Sequence, residues 1–486
     1  MDRMFIVQES KDMVEFSNGL IFTIEDGRLS INENAINEST DLETIETPPY
    51  CEVIPQLELP LTHKCNLGCV YCTFRDRMKG RTDLEMSWDI IDQSIVYFKE
   101  YLEKQGIQYA RIDFGVTGEP FLRKDMFEKV LSHINNVFKD STVKRIWAGP
   151  YISNATFPII ENLLIEFCDA QDVSCDGPKD IHDSMRVYPN GNGTFDDFMK
   201  SLKAIEEQEP RFGVSAVLTA QNPDFTRIFN YLHTELNFQS IDMKPANLKH
   251  EISYSLNESN LDVYKKSYTL LIDNLVSQKP EVLLSNLLAF NKEDFLMRFF
   301  YRIKERSKQI YRCGCGKSGI YVDTDGQMYP CAHFIGLEKY EMGNLTTGID
   351  EKKRKEYFQL TVFNREPCNR CWARYLCGGG CYYQSVLANN SVNKPDKIKC
   401  ELIKHLIIES IRLYFFMKTE TPDVLDALPS IYYLSKEDID ASPSTEYRPQ
   451  ATFKLSEKET CIQVISKKTM KGVIHTEIPS LQFSLK

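Results

Sequence analysis

The sequence lacks three things that would have placed it at once. There is no excess of positive charge: 58 lysines and arginines stand against 69 aspartates and glutamates, a formal net charge of −11, which argues against a broad nucleic-acid surface. There is no run of about 18 apolar residues, the length a helix needs to cross a bilayer. Nor does a basic start lead into an apolar core of the kind that directs secretion. The expectation is a cytoplasmic protein that engages neither membrane nor nucleic acid. What the chain has in quantity is cysteine, 15 in all. Without a secretion signal, metal ligation is a better reading of them than disulfides. Cys51, Cys168, Cys175 and Cys461 lie outside every cluster and are expected to pack as small hydrophobes or unreactive thiols. At 486 residues the chain is too long for one ordinary core, and two to four domains are expected.

Cys65, Cys69 and Cys72 share one short loop directly after the apolar, strand-like run Leu57 to Leu61. Three thiolates this close suit a soft metal, and three protein ligands leave a fourth valence open for chemistry. A structural zinc loop is the competing reading, with His63 near enough to be its fourth ligand, although such loops usually close through a second Cys or His pair. The spacing C-x-x-x-C-x-x-C, with Tyr71 just before the last cysteine, resembles the signature of the radical S-adenosylmethionine (SAM) enzymes. That resemblance implies that Cys65, Cys69 and Cys72 hold three irons of a four-iron four-sulfur cluster. The fourth iron would be chelated by the amino and carboxylate groups of SAM, with Tyr71 beside the cofactor.

Residues 1–50 contain short β-rich pieces, Met4 to Val7 and Leu20 to Ile24. The hairpin signal Glu25-Asp26-Gly27 and a polar, acidic linker from Asn32 to Thr47 follow. This front segment reads either as a small sheet that recognises a peptide by strand addition or as a cap on the next domain. From 51 to 250, strand-like pieces (Leu57 to Leu61, Ala110 to Val116, Val143 to Ala148, Asp172 to Cys175, Phe212 to Leu218, Ser240 to Lys244) alternate with helix-like ones. The latter are Ser87 to Glu103, Lys124 to Phe138, Pro158 to Phe167, Phe195 to Glu206 and Phe225 to Leu236. Repeated βα units predict an α/β fold, a partial (β/α)6 TIM-type barrel with its site at the carboxyl ends of the strands. Residues 251–310 are expected to form a helical bridge, with helices at Leu261 to Val276 and Glu293 to Lys308 and with Phe299-Phe300-Tyr301 in the core. A cysteine-rich domain follows at 311–402 and a C-terminal extension at 403–486, with a helix at Leu402 to Met417.

The second strand leads into Thr117-Gly118-Glu119-Pro120, which resembles the family's G-G-E-P motif with Thr117 in place of the first glycine. The resemblance implies that Gly118 and Glu119 contact the methionyl amino group of SAM. A glycine lets backbone approach closely and a carboxylate accepts from an ammonium, whereas the plain alternative is a turn before a helix. Ser174-Cys175-Asp176-Gly177-Pro178, with His182, Asp183 and Arg186, resembles a strand-end segment of peptide-modifying members. It implies Ser174 and Arg186 as holders of the SAM carboxylate, which a guanidinium fork can bind through two hydrogen bonds. A salt-bridged arginine beside a turn-forming Asp-Gly-Pro is equally consistent.

A second array runs Cys313, Gly326, Cys331, then Cys368, Cys371, Cys377, Cys381 and Cys400. Its spacing, C-x12-G-x4-C followed by C-x2-C-x5-C-x3-C-x18-C, closely matches the SPASM extension, a module that carries two auxiliary four-iron four-sulfur clusters. By that resemblance Cys313, Cys331 and Cys381 hold an inner cluster, and Cys368, Cys371, Cys377 and Cys400 an outer one. Either Cys315 completes the inner set or its fourth iron is open to a substrate thiolate. Gly378, Gly379 and Gly380 would let backbone wrap a cluster closely.

The resemblance implies a maturase that cleaves SAM reductively and modifies a peptide or protein side chain. Its cofactors would be SAM and three four-iron four-sulfur clusters. Its partners would be a precursor peptide or protein and an external electron donor such as flavodoxin or ferredoxin. A thioether or carbon–carbon crosslink in a ribosomally made peptide is the leading outcome, and an anaerobic sulfatase maturase is the main alternative. The sulfatase-maturase pattern places an aspartate directly after the second SPASM cysteine as a proposed base. Here the sequence is Cys331-Ala332-His333, and His333 reads as a packed neighbour of the cluster in preference to a base. A cluster-bearing electron carrier and a zinc-binding interaction protein are the readings from other classes.

Overall fold

The strands in the middle of the chain are nearly continuous apolar runs, as a parallel sheet covered on both faces requires; Gly213–Leu218, for example, is buried at all but one position. The computed structural model of the protein describes residues 54–115, 117–150, 152–156, 172–206, 213–305 and 309–429. It also describes strand segments 6–9, 13–16, 21–25, 28–32, 453–454 and 461–462. The first four of these, β1 (Ile6–Glu9), β2 (Met13–Phe16), β3 (Ile21–Glu25) and β4 (Arg28–Asn32), pair as an antiparallel meander. Glu25 pairs with Arg28, so β3 and β4 flank the sequence signal Glu25-Asp26-Gly27, whose Asp26 and Gly27 lie outside the described residues. The expected linker after Asn32, the expected helix at 158–167, and Cys51 and Cys168 lie outside the described residues, as does the side chain of Cys461.

Then β5 (Gln56–Glu58), β6 (Tyr109–Asp113) and β7 (Arg145–Gly149) pair in parallel. So do β8 (Ile152–Ser153), β9 (Asp172–Ser174), β10 (Gly213–Leu218) and β11 (Ile241–Pro245). Only Pro150 and residue 151 separate β7 from β8, so the two parallel sheets follow each other in chain order. β5 ends at Glu58 although the apolar run continues to Leu61, because Pro60 has no N–H to give to a ladder. Helix Trp88–Lys104 is capped by the Ser87 hydroxyl, which accepts from the Ile90 N–H at 3.3 Å, and it buries Ile91, Ile95, Phe98 and Leu102 at helical spacing. Helices Lys124–Phe138, Phe195–Glu206 and Leu261–Val276 have the expected bounds. The expected helix from Phe225 gives way at Tyr231 to a wider turn, and Met297–Lys304 is shorter than expected and preceded by a separate helix, Pro280–Ala289. Phe299, Phe300 and Tyr301 are core side chains.

Two features tie the cysteine-rich region and the helix after it to the part of the chain before 310. β12 (Gly319–Val322) pairs in parallel with β5 and antiparallel with β13 (Met328–Tyr329), so the cysteine-rich region supplies a strand to the sheet that carries the first cysteine loop. Helix Lys397–Glu420 runs straight through the expected boundary at 402. It docks on Leu261–Val276, where Arg412 pairs with Asp273 at 2.7 Å and Glu409 accepts from Thr269 at 2.7 Å. Among the described residues no helix is long and apolar enough to cross a membrane.

Candidate cofactor site

The loop of Cys65, Cys69 and Cys72 leaves the carboxyl side of β5 and is held from two directions. From one side, Gly68 and Val70 donate their N–H groups to Val187 O (2.7 Å) and Met185 O (2.8 Å). From the other, the Thr117–Pro120 turn presses on the segment just before Cys65. Gly118 has φ +68°, and a Cβ there would lie 2.5 Å from Thr62 O and 2.7 Å from Lys64 O, so only glycine fits. Glu119 then donates its N–H to Lys64 O at 2.8 Å.

The Glu119 side chain is almost wholly buried and accepts from Ser153 Oγ (2.9 Å), Asn154 N (2.8 Å) and Phe121 N (3.3 Å). Burial pushes its carboxyl up to about 7 against those hydrogen bonds. Asn154 Nδ2 reaches Cys65 Sγ at 3.8 Å and donates to Asn66 Oδ1 at 2.8 Å, while Asn66 in turn donates to Thr156 Oγ1 at 2.8 Å. Ser153, Asn154, Asn66 and Thr156 were not singled out from the sequence. Their signal was positional: Ser153, Asn154 and Thr156 lie in and just after β8, shortly beyond β7, and Asn66 directly follows Cys65.

Tyr71 and Arg186 meet on the third face. Tyr71 donates to Asp176 Oδ2 at 2.7 Å and accepts from Arg186 Nη1 at 2.9 Å, and Asp176 Oδ1 also accepts from Val217 N at 3.0 Å. Arg186 is buried with its Nε unpartnered. It acts on Cys69, whose thiol is pushed up by burial and drawn back by the guanidinium. Ser174 lies at the end of β9, paired with Ser215 of β10. Cys65 keeps a solvent-facing edge, yet the protein packed around it removes enough water, with the Glu119 charge added, to push its thiol up to about 12.

His63 does not join this loop as a metal ligand. Its Nδ1 is 2.8 Å from Thr117 Oγ1 and its Nε2 2.6 Å from Asp323 Oδ1, so both ring nitrogens are taken. The zinc reading with His63 as fourth ligand is thereby corrected. Asp323 also accepts from Arg81 Nη1 at 2.8 Å, completing a buried chain Thr117–His63–Asp323–Arg81. Burial would raise the Asp323 carboxyl, but the bonds and charges of His63 and Arg81 outweigh it and hold the group at about 2, below its ordinary 3.8. Asp323→Ala is expected to lower stability by about 3 kcal/mol at neutral pH, since it leaves buried His63 Nε2 without its partner and takes from Arg81 one of its two carboxylates, the other being Asp83. Because the folded group titrates below the unfolded one, that contribution is complete above about pH 4 and disappears as pH falls through about 2. Denaturant unfolding of both proteins along the pH scale checks the value and the convergence.

The second array forms two sets. Cys315 and Cys331, both free thiols, are hydrogen-bonded to each other, Cys315 feels the charge of Cys313, and Cys381 that of Cys313 and Cys331. Separately, Cys400 interacts with Cys377, Cys368 and Cys371. Cys315 is buried, so its thiol is raised, whereas its hydrogen bond lowers the thiol of Cys331. Burial pushes Cys368 up to about 12. His333 is packed, its ring stacked between Phe74 (centroids 5.6 Å) and Tyr383 (4.9 Å). Burial first, and then the Arg77 charge, hold it down at about 4, so it is neutral at physiological pH, with Nδ1 buried and unpartnered. Cys175 is a buried packing residue.

Among the described residues no three His, Cys, Asp or Glu side chains converge on one point tightly enough for a single metal ion. One zinc needs all its ligands within about 2.3 Å of itself, whereas the cysteines of an iron-sulfur cluster bind separate irons. The donor chemistry fits such clusters: buried thiols that would stay protonated by themselves become thiolates when a cation supplies the missing charge.

No family model matches the chain. Two cysteine-type anaerobic sulfatase-maturating enzymes are similar to it. That of Clostridium perfringens is 25% identical over 365 residues, 68% of this chain and 89% of the relative. That of Clostridium novyi is 24% identical over 403 residues, 74% and 96% of the two. In structure, native anSMEcpe with bound AdoMet superposes with a TM-score of 0.59 at 21% identity, across 76% of this chain and 98% of that one.

Proposed function

We propose, for a chain that is a homologue of the radical SAM sulfatase-maturating enzymes, that it binds SAM at the Cys65 loop and modifies a side chain of a peptide or protein. The observation that carries this reading is the convergence of the three-cysteine loop after β5, the Gly118-Glu119 turn after β6 and Arg186, which follows β9 and its short helix. We read those strands as a partial (β/α)6 barrel and the region after 311 as a SPASM domain. Cys65, Cys69 and Cys72 would hold the first cluster. Cys313, Cys315, Cys331 and Cys381 would hold an inner auxiliary cluster, and Cys368, Cys371, Cys377 and Cys400 an outer one. The pairing of Cys315 with Cys331 supports Cys315 as the fourth inner ligand over an iron open to substrate.

When bound and reduced, SAM on such a cluster supplies a carbon radical able to take hydrogen from an unactivated position. The chain's own residues do the rest. Glu119, held by Ser153 and Asn154, offers its carboxylate to the SAM ammonium. Arg186, steadied by Tyr71 and Asp176, keeps a buried positive charge beside Cys69 and the cofactor carboxylate. Tyr71 holds Arg186 in place. Ser174 closes the strand end next to them.

For the product, a crosslink in a ribosomally made peptide remains the lead. Ala332 puts a methyl group where the sulfatase-maturase pattern has its proposed base, and His333 is stacked between two rings. Formylglycine formation is the second reading, favoured by the named activity of the two similar relatives. The test is anaerobic reconstitution with iron and sulfide, then reduction with SAM and an assay for 5′-deoxyadenosine. Peptides with cysteine are offered and their products weighed. Formation of 5′-deoxyadenosine is expected. A product lighter by two hydrogens with its thiol consumed marks a crosslink, and replacement of the thiol by an aldehyde marks formylglycine. A fully loaded enzyme that makes no 5′-deoxyadenosine under excess reductant sinks the catalytic reading.

A further inference from the structure

Among the described residues Arg365 is the largest side chain that is fully buried. All five of its N–H groups are satisfied, and every acceptor is neutral. Nε donates to Asn393 O (3.1 Å), Nη1 to Gly379 O and to Gly380 O (3.5 Å), and Nη2 to Ser385 Oγ (3.1 Å) and Val392 O (3.0 Å). Among the described residues no carboxylate pairs with it. A guanidinium keeps its charge in any protein environment, and a buried charge without a counter-charge is strongly disfavoured. The negative charge that balances Arg365 is therefore something the protein side chains around it do not provide.

Its position says where that charge lies. The carbonyls of Gly379 and Gly380 belong to the turn between Cys377 and Cys381, which joins the two cysteine sets. Gly379 has to be glycine for the guanidinium to fit, since a Cβ there would sit 2.9 Å from Arg365 Nη1. Arg365 begins the turn that carries Cys368, its carbonyl accepting from Asn369 N at 3.0 Å, and its guanidinium lies 4.8 Å from the centre of the Tyr382 ring, beside Cys381. Lys317 lies 4.8 Å from the same ring centre. A four-iron cluster on four thiolates is an anion and gains another unit of negative charge on reduction.

Building on the auxiliary-cluster reading above, we infer that Arg365 is the fixed counter-charge of the cluster held by Cys368, Cys371, Cys377 and Cys400. The guanidinium favours the reduced, more negative form and so sets that cluster's potential upward. It is a positioning residue for charge and touches neither substrate nor SAM.

The test is an anaerobic potentiometric titration of the reconstituted full chain, followed by electron paramagnetic resonance, on wild type, Arg365→Met, Arg365→Lys and Ser385→Asp. Arg365→Met removes the charge. It is expected to lower one auxiliary midpoint by at least a tenfold change in the reduction equilibrium, about 59 mV for one electron. Ser385→Asp leaves the guanidinium in place and pairs it with a carboxylate, so the same midpoint falls. Arg365→Lys retains the charge and stays near wild type. Loss of about four irons in Arg365→Met but not in Arg365→Lys supports the inference through occupancy. An iron-loaded Arg365→Met or Ser385→Asp protein with the wild-type midpoint overturns it. Equal falls in the Met and Lys variants, or loss of iron in both, also overturn it, because they assign the side chain to loop structure instead of charge. A wild type that binds only about four irons refutes the auxiliary-cluster reading itself, and the two failures are thus distinct.

Discussion

Replacing Cys65, Cys69 and Cys72 together by alanine is expected to reduce 5′-deoxyadenosine formation more than a hundredfold, to background. Loss of a partner outside the ligand shell commonly costs about 10–100-fold in metal affinity or activity, and here the ligands themselves go. The three cysteines share a loop with no other cysteine, and both remaining sets come from residues 313–400. Their irons should therefore survive, so total iron falls from about twelve to about eight per chain while the visible colour persists in part. Iron analysis and the nucleoside assay on one preparation decide the matter. Undiminished 5′-deoxyadenosine from the triple variant would remove the loop from the chemistry. Complete loss of iron would mean that the three sets do not assemble independently.

The second large effect is expected at Gly118. With φ at +68°, Gly118→Ala imposes a left-handed conformation on a residue with a Cβ, about 1–3 kcal/mol in itself. That Cβ would lie 2.5 Å from Thr62 O, 2.7 Å from the His63 carbonyl carbon and 2.7 Å from Lys64 O. All three are backbone atoms, which cannot rotate aside as a side chain would, so the segment leading into Cys65 has to shift and the Glu119 to Lys64 bond is strained. We expect SAM affinity to weaken by at least about tenfold, equivalent to about 1.4 kcal/mol. Gly106→Ala is the matched control: its φ is +67°, but nothing lies within 4 Å of the added carbon. It should lower stability by strain alone and leave SAM binding unchanged. Equal effects at the two positions would show that backbone strain, and no contact with the cysteine loop, accounts for Gly118.

Local chemistry was legible in the sequence wherever a residue type had few uses. Cysteine spacing separated the first loop from the later array, while the division of that array into two sets came from the family resemblance. Helix Lys124–Phe138 fell on its expected bounds because apolar periodicity and length agree there. The strand ends were less legible, since Pro60 stops pairing inside an apolar run. Ser153 and Asn154 escaped notice because serine and asparagine are common at turns, and only the folded chain brings them to Glu119. The partners of His63 were hidden for a different reason: Asp323 is 260 residues away, and nothing in local composition announces a contact of that range. Arg365 likewise looks like any surface arginine until its burial is seen.

The chain Thr117–His63–Asp323–Arg81, together with the pairing of β12 against β5, bears on modularity. A reading by segments suggests beads on a string, with a cysteine-rich appendage that could be exchanged or trimmed. Yet cutting the chain near 310 would bare the edge of β5, take away the anion that His63 and Arg81 share, and loosen the turn that fixes Glu119. The first cysteine loop and the cysteine-rich region are one mechanical body. A chimera built by swapping everything after residue 310 would inherit a damaged Cys65–Cys72 loop more than 200 residues upstream of its junction, unless the incoming segment brought its own strand and its own aspartate to the same places.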